Sequence, residues 1–378
     1  MNKAKYQICT FCVMDTSDPD ITFNSDGECN HCINAREVLL KEWLPNEKGK
    51  KLLETTIKEI KSAKKSSKYD CIVGMSGGVD SSFLLHFIKK EMKLNPLVIH
   101  VDAGWNSQQA LHNIRALTSK LDLELEEHKV NWEEVKELQL AYLHSGLPNQ
   151  DVPQDHAFFG KLYQIAKQYN VKYVLTGANL SSESILPTAW GQVAMDGRQV
   201  KAINKKFGRG ELKDFPVVSF FTQYFYYPYI YRMKVITPLN WIDYDKNKVI
   251  EFLQEEYGWK YYGGKHHESH WTKFFQSYYL PKKLGFDKRK AHLSSLIVAG
   301  QITRDEALKE LEKPSYDENE IQKDKIFVAS RLEISLEELE SFLNIPLSKY
   351  TDFPNQYTFV KYLKPIKLAL NKIINRNS

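Results

Sequence analysis

Short apolar runs alternate along much of this chain with longer stretches whose apolar positions recur every three or four residues. Cys71-Ile72-Val73 is the first such run, others lie at residues 96–105 and 172–177, and a further strand is read around residues 124–130. Runs this brief and this apolar predict strands buried on both faces. Between them, helical spacing is clear directly after the first run (Phe83-Leu84-Leu85, Phe87-Ile88) and over residues 108–121, 132–142 and 157–169. Strands alternating with helices predict an α/β fold, a doubly wound parallel sheet. Residues 235–239 close that domain, and 246–257 is a further helix.

Outside this core the pattern changes. Leu39, Leu40 and Trp43, then Leu52, Leu53, Ile57 and Ile60, give one or two connecting helices within 35–68, ending in the Lys-rich linker 61–68. Residues 180–215 have little periodicity and mix aromatic, basic and hydroxyl side chains, which predicts a functional loop that closes over substrate. The aromatic stretch Phe220 to Tyr227 fits core or an oligomer interface. From Gln301 onward the chain reads as helices, with capping patterns at Thr303-Arg304-Asp305-Glu306 and Ser335-Leu336-Glu337-Glu338, and residues 357–374 as an amphipathic docking helix. The expected organisation is 1–34, a small metal module; 35–68, connecting helices; 69–245, the sheet domain; and 246–378, a helical region for substrate or partner.

The chain has 378 residues, 42% hydrophobic and 26% charged, with a net charge of +5. That length permits two or three domains, and the mild positive balance suits anionic small substrates without calling for nucleic acid. No apolar stretch approaches the ~18 residues of a membrane span, and the start is unlike a signal peptide, so a cytoplasmic protein is expected.

Chemistry concentrates first at Ser76-Gly77-Gly78-Val79-Asp80-Ser81-Ser82, where the strand runs through glycines into a helix. Consecutive N–H groups there curl toward the positive end of the helix, which predicts a phosphate site. Neither GxxxxGK[ST] nor GxGxxG is present. Ser76, Ser81 and Ser82 offer hydroxyls to a departing pyrophosphate, and Asp80 is placed to hold Mg²⁺. In doubly wound sheets ligands bind beyond the carboxyl ends of the strands, so the turns at Asp102-Ala103-Gly104 and Thr176-Gly177-Ala178-Asn179 should converge on the same crevice. Cys9-Thr10-Phe11-Cys12 and Cys29-Asn30-His31-Cys32 have the spacing of a structural four-cysteine Zn²⁺ site, with His31 a bystander; a redox or sulfur-carrying pair is the other reading. Lys265, Lys288, Arg289 and Lys290 form a basic cluster suited to a diphosphate. His266, His267, Glu268 and His270 lack the spacing of HExxH.

SGGVDS resembles the pyrophosphate loop of the PP-loop ATP pyrophosphatases. The whole chain is similar to the N-acetyl sugar amidotransferases of bacterial surface-polysaccharide synthesis. That resemblance rests on the CxxC pair, SGGVDS, Thr176-Gly177 with the stretch from Asn179 to Trp190, and above all YGGKHHESHWTKFFQ from Tyr262 to Gln276 and FDKRKAH from Phe286 to His292. It implies ATP bound by Ser76, Gly77, Gly78, Asp80, Ser81 and Ser82, with His100 and Asp102 near the adenosine and Thr176 and Gly177 near the phosphates. Asp80 and Ser76 carry catalysis. Asn179, Glu183, Lys201, Lys265, Lys288, Arg289 and Lys290 are the expected contacts to a nucleotide-linked N-acetyl sugar. The implied reaction adenylylates an acetamido oxygen and replaces it with ammonia, giving an acetamidino group. The ammonia would come from a separate glutaminase subunit, with a cyclase-like barrel subunit beside it. A tRNA thiolase with a zinc ribbon is the alternative; it calls for a reactive, exposed cysteine near the nucleotide.

Overall fold

The structure, a computed structural model, describes residues 6–63, 67–191, 193–262, 268–357 and 359–361. Cys29 caps α1 (Asn30–Glu42), accepting the Cys32 N–H at its sulfur, and α2 (Glu47–Ala63) follows. Then come β1 (Cys71–Gly74), α3 (Val79–Lys90), β2 (Pro96–Asp102), α4 (Gln108–Lys120), β3 (Leu125–Lys129), α5 (Trp132–Ser145), α6 (Val152–Gln168) and β4 (Tyr173–Leu175). α7 (Leu180–Glu183), α8 (Gly197–Phe207), a π-helical segment Thr222–Ile230, β5 (Lys234–Ile236) and α9 (Lys246–Tyr257) complete the first half. The helical remainder is α10 (His270–Phe274), a π-helical turn Phe275–Tyr279, α11 (Leu280–Leu284), α12 (Arg289–Val298), α13 (Arg304–Glu312), α14 (Glu318–Leu332) and α15 (Leu336–Ser341).

All five strands are parallel, in the order β3-β2-β1-β4-β5. The order reverses at β1, so the crevice between β1 and β4 is where such a sheet binds ligands. Alternate residues of each strand face opposite layers. Ile72, Leu97 and Val174 pack with Leu138 of α5, Ile165 of α6 and Val200 of α8. Cys71, Val73 and Leu175 pack on the other face with Leu84 of α3, Ile114 of α4 and Leu253 of α9. Burial on both sides explains why β1, β2 and β4 read as apolar runs, whereas the edge strands β3 and β5 are only partly buried.

Residues 180–215 are not a structureless loop. α8 lies inside this segment, capped by Asp196 accepting the Gln199 N–H, and Val200 and Ile203 are buried in the core. Its lysines, Lys201 among them, fall on the outer face. α6 begins at Val152, earlier than the periodicity indicated, because Pro153 fits the first turn of a helix, where no N–H partner is needed. In the aromatic stretch Tyr227 is buried, whereas Phe221 stays 59% exposed. The box at Thr303 is formed reciprocally with Glu306, and Ser335 caps α15. The docking helix expected at 357–374 lies almost wholly outside the described residues. No helix among the described residues is long and apolar enough to cross a membrane.

Candidate active site

The SGGVDS turn takes its shape from packing. Gly77 has φ +81°, and a Cβ there would stand 2.6 Å from the Ala110 carbonyl oxygen, so only glycine fits. Ser76 Oγ accepts the Gly78 N–H at 3.2 Å and lies 3.2 Å from Ser81 Oγ, while Ser81 Oγ donates to the Gly78 carbonyl. Gly177 closes the turn from β4, its would-be Cβ 2.9 Å from the Asp80 carbonyl carbon. The buried Tyr244 hydroxyl donates to Asp80 Oδ1. Burial, and then the Asp80 charge, raise that phenol well above its ordinary range, so it stays a donor. Tyr262 closes the top, its hydroxyl oxygen accepting the Val79 N–H at 3.1 Å.

This turn forms one wall of a cavity of about 380 Å³, to which Ser76, Gly78, Asp80, Ser81, Thr176 and Gly177 contribute. His100 reaches it from β2, with Nδ1 on the Met75 carbonyl at 2.8 Å and Nε2 3.0 Å from Asn106 Nδ2. The facing wall comes from α6 and the helical region: Asp151, Gln154, Asp155, Thr272, Gln276 and Lys288. A hydrogen-bonded chain joins these elements. Ser269 Oγ donates to Gln154 Oε1 (2.7 Å), Gln154 Nε2 to Thr272 Oγ1 (2.9 Å), and Thr272 Oγ1 and Gln276 Nε2 to the two Asp151 oxygens (3.3 and 3.1 Å). One turn along α6, the Asp155 carboxyl is pushed up to about 8 by burial and by Asp151, partly offset by Lys288.

The SGGVDS turn and the α6 part of the facing wall fall in one family match, and Thr272, Gln276 and Lys288 in another. Residues 268–367 match the family model described as LPS biosynthesis protein WbpG-like, C-terminal domain, and residues 70–183 match the phosphoadenosine phosphosulfate reductase domain, of the PP-loop superfamily. The chain is a PP-loop protein with a WbpG-like carboxy-terminal domain. An uncharacterized protein, MJ1599 of Methanocaldococcus jannaschii, is 29% identical over 175 residues, 46% of this chain and 59% of that protein. Among solved structures, the NH3-dependent NAD synthetase of Campylobacter jejuni is 15% identical, with a TM-score of 0.33, over 71% of this chain and 99% of that one. NMN synthetase of Francisella tularensis gives 16% and 0.33, over 81% and 97%. The U34-tRNA thiolase NcsA of Methanococcus maripaludis, solved with its [4Fe-4S] cluster, gives 18% and 0.33, over 68% and 80%.

Within this PP-loop protein the residues picked out from sequence divide sharply. Ser76, Gly78, Asp80, Ser81, His100, Thr176, Gly177, Glu183 and Lys288 line the cavity. Ser82 does not: it is fully buried and accepts the Trp259 indole N–H. Asp102 is spent on its own turn, accepting from the Gly104 N–H and Asn106 Nδ2. Asn179 is a buried N-cap, its Oδ1 accepting from Ser181 and Ser182. Lys201 is exposed on α8, away from the cavity. The basic cluster comes apart in the same way. Arg289 is held by Asp287 (2.7 Å) and by the Glu310 carbonyl, and Lys290 pairs with Asp15, so Lys288 alone of the three faces the cavity. Lys265, His266 and His267 lie outside the described residues.

Asp151, Gln154 and Asp155 gave no sequence signal, because an acidic helix start is common at any surface. Their partners on the far wall are more than a hundred residues away in sequence.

Cys9, Cys12, Cys29 and Cys32 are all buried, with their sulfurs within 4.8 Å of one another. Cys9 and Cys32 sulfurs are 3.7 Å apart and Cys12 and Cys29 sulfurs 3.5 Å, close to the edge of a tetrahedron built on Zn–S bonds of ~2.3 Å. A four-iron cluster attaches each thiolate to a different iron and needs a wider set. The four sulfurs therefore fit one metal ion. His31 is not in the set and pairs with Asp18 at 2.5 Å. The module is fixed to the WbpG-like domain: Arg304 donates to the Cys9 and Cys12 carbonyls, and Ser294 Oγ accepts the Val13 N–H. No cysteine lines the cavity among the described residues. Cys71 is fully buried in β1, and burial pushes its thiol well up.

Proposed function

We propose that this PP-loop, ATP-using enzyme is an amidotransferase that converts the acetamido group of a nucleotide-linked sugar to an acetamidino group. The observation that carries the reading is the shared cavity, with the PP-loop on one wall and the start of the WbpG-like domain on the other. A reaction that couples ATP cleavage to a change in a surface-polysaccharide precursor needs these two walls in one space.

An amide carbon resists ammonia until its oxygen becomes a leaving group. In this reading the acetamido oxygen attacks the α-phosphorus of ATP. Ser76, Ser81 and the N–H groups of the turn receive the departing pyrophosphate. Asp80, with Glu183 and Glu268 on the same wall, offers the hard oxygen donors that suit Mg²⁺. Mg²⁺ held there would supply charge neutralisation of the pyrophosphate. Ammonia then displaces AMP. Lys288 is placed to hold the sugar's diphosphate, and the four cysteines hold Zn²⁺ as a structural ion. A glutaminase subunit, with a cyclase-like barrel subunit, would supply ammonia in the cell.

The test is incubation with ATP, Mg²⁺, ammonium and a UDP-linked acetamido sugar, followed by mass spectrometry. The expected result is replacement of one oxygen by NH with an equal amount of AMP. AMP release indifferent to the sugar, with no amidine, would overturn the reading.

A further inference from the structure

We propose that Asp155 is the acid–base residue of the ammonia half-reaction, binding ammonium together with Asp151 and taking one of its protons so that neutral ammonia attacks the activated carbon. This rests on the amidotransferase reading and assigns the part of the site that reading leaves open.

The two half-reactions make opposite demands. Adenylylation releases an anion, and the PP-loop wall is built for one. The second half-reaction brings in a cation, ammonium, and ends on another, since an amidine is a strong base and leaves as amidinium. A site complementary to that step needs negative charge and a proton acceptor on the other wall. α6 presents Asp151 and Asp155 one turn apart to the cavity, across from Ser76 and Asp80. Asp151 is oriented by Thr272 and Gln276, whereas the Asp155 carboxyl has no hydrogen bond among the described residues. His100, the histidine on the wall, has both ring nitrogens engaged, by the Met75 carbonyl and by Asn106.

Burial and the Asp151 charge raise Asp155, Lys288 lowers it, and the balance brings it to about 8. A base serves best when its pKa lies near the working pH. The other titratable groups on the wall are Asp80 from the first turn of α3, His100 from β2, Glu183 from α7, Lys246 from the start of α9, Tyr262 and Glu268; Tyr163 lies further along α6.

The step balances. Ammonium gives one proton to the Asp155 carboxylate. The nitrogen lone pair of the resulting ammonia forms a C–N bond to the O-adenylyl imidate carbon. The C–O bond then breaks with its electron pair leaving on AMP, and the remaining three protons stay on the two nitrogens of the amidinium.

The test uses the full chain with two readouts. Sugar-dependent exchange of labelled pyrophosphate into ATP, without ammonium, reports adenylylation; amidine formation with ammonium reports the whole reaction. Asp155→Asn should keep exchange within a few-fold while amidine formation falls about a hundredfold or more. Hydroxylamine, unprotonated at neutral pH, should restore turnover in the variant as an amidoxime, because no proton has to be removed before attack. Asp155→Glu should recover part of the ammonium-dependent rate and move the pH at which it rises. Equal loss of exchange and amidine, failure of hydroxylamine to rescue, or unchanged ammonium turnover in Asp155→Asn would each overturn the proposal. Absence of exchange in the wild-type protein would instead overturn the amidotransferase reading itself.

Discussion

The Tyr262 hydroxyl oxygen accepts the Val79 backbone N–H at 3.1 Å, on the first residue of the helix that follows the PP-loop. An N–H in that position is otherwise unpaired within the helix and is a natural contact for a phosphate oxygen. The protein therefore satisfies this donor with its own tyrosine.

Tyr262→Phe should then act in opposite directions on the two states. The free protein loses a hydrogen bond of about 0.5–1.5 kcal/mol and melts earlier, and ATP binds about two- to tenfold more tightly because no internal acceptor competes. Thermal melts with and without ATP, with calorimetric titration, check both signs. Weaker ATP binding would mean that the hydroxyl contacts the nucleotide instead.

Ser76→Ala and Asp80→Asn should each leave the protein folded and lower AMP formation by about 10²–10³-fold, the usual cost of removing one group that meets developing charge. The fold should survive in Asp80→Asn because an amide oxygen still accepts the Tyr244 hydroxyl. Circular dichroism beside AMP release separates the two effects. Near wild-type AMP release in both would remove the loop from the chemistry.

The sheet could be read from the sequence because its three central strands, β1, β2 and β4, are covered on both faces, and the PP-loop because its glycines and hydroxyls are consecutive. The metal module was legible for the same reason of local spacing. α8 was missed because polar residues outnumber its buried Val200 and Ile203. The far wall was missed because it forms only when α6 meets Ser269, Thr272 and Gln276 across the fold. Three neighbouring cations, Lys288, Arg289 and Lys290, looked like one binding cluster, but successive residues on a helix point about 100° apart and these three meet different partners.

That divergence separates Lys288 from Arg289 in an experiment. Lys288→Ala should weaken sugar-nucleotide affinity about ten- to hundredfold, as for loss of one charge-assisted contact of about 1.5–3 kcal/mol, with ATP affinity little changed. Arg289→Ala should lower the melting temperature and reduce both activities together, because its partners Asp287 and the Glu310 carbonyl are structural. A selective sugar-nucleotide defect in Arg289→Ala would reverse the assignment.

One zinc ion per chain is expected on metal analysis of freshly reduced protein, and Cys29→Ser should abolish it. Because Arg304 reaches the Cys9 and Cys12 carbonyls, the loss should extend beyond the ribbon. Arg304→Ala should keep the metal and cost about 1–3 kcal/mol, as for hydrogen bonds to a charged group. Hydrogen exchange over α12 and α13 is the readout; protection there unchanged by removing the metal would show that the ribbon is an independent module.

Asp155 should make the protein less stable as pH rises. Its carboxyl titrates at about 8 in the folded chain, against about 3.9 for an unfolded aspartate. Below both values the group is protonated in either state and contributes nothing. Between them the folded state binds the extra proton, so unfolding becomes easier with each rise in pH, and the full penalty is present above about 8. Asp155→Asn never ionises and escapes the penalty. The variant should therefore match the wild type near about pH 4, melt progressively higher than it between about pH 5 and 8, and keep a constant lead beyond. Asp151→Asn should shift the wild-type curve toward lower pH by removing the charge that raises Asp155. Melting curves of the three proteins across this range are the measurement. A lead that does not change with pH would mean that the folded protein does not raise the Asp155 pKa; a carboxylate that weak could not take a proton from ammonium, and the base in the ammonia step would have to be sought elsewhere on the cavity wall.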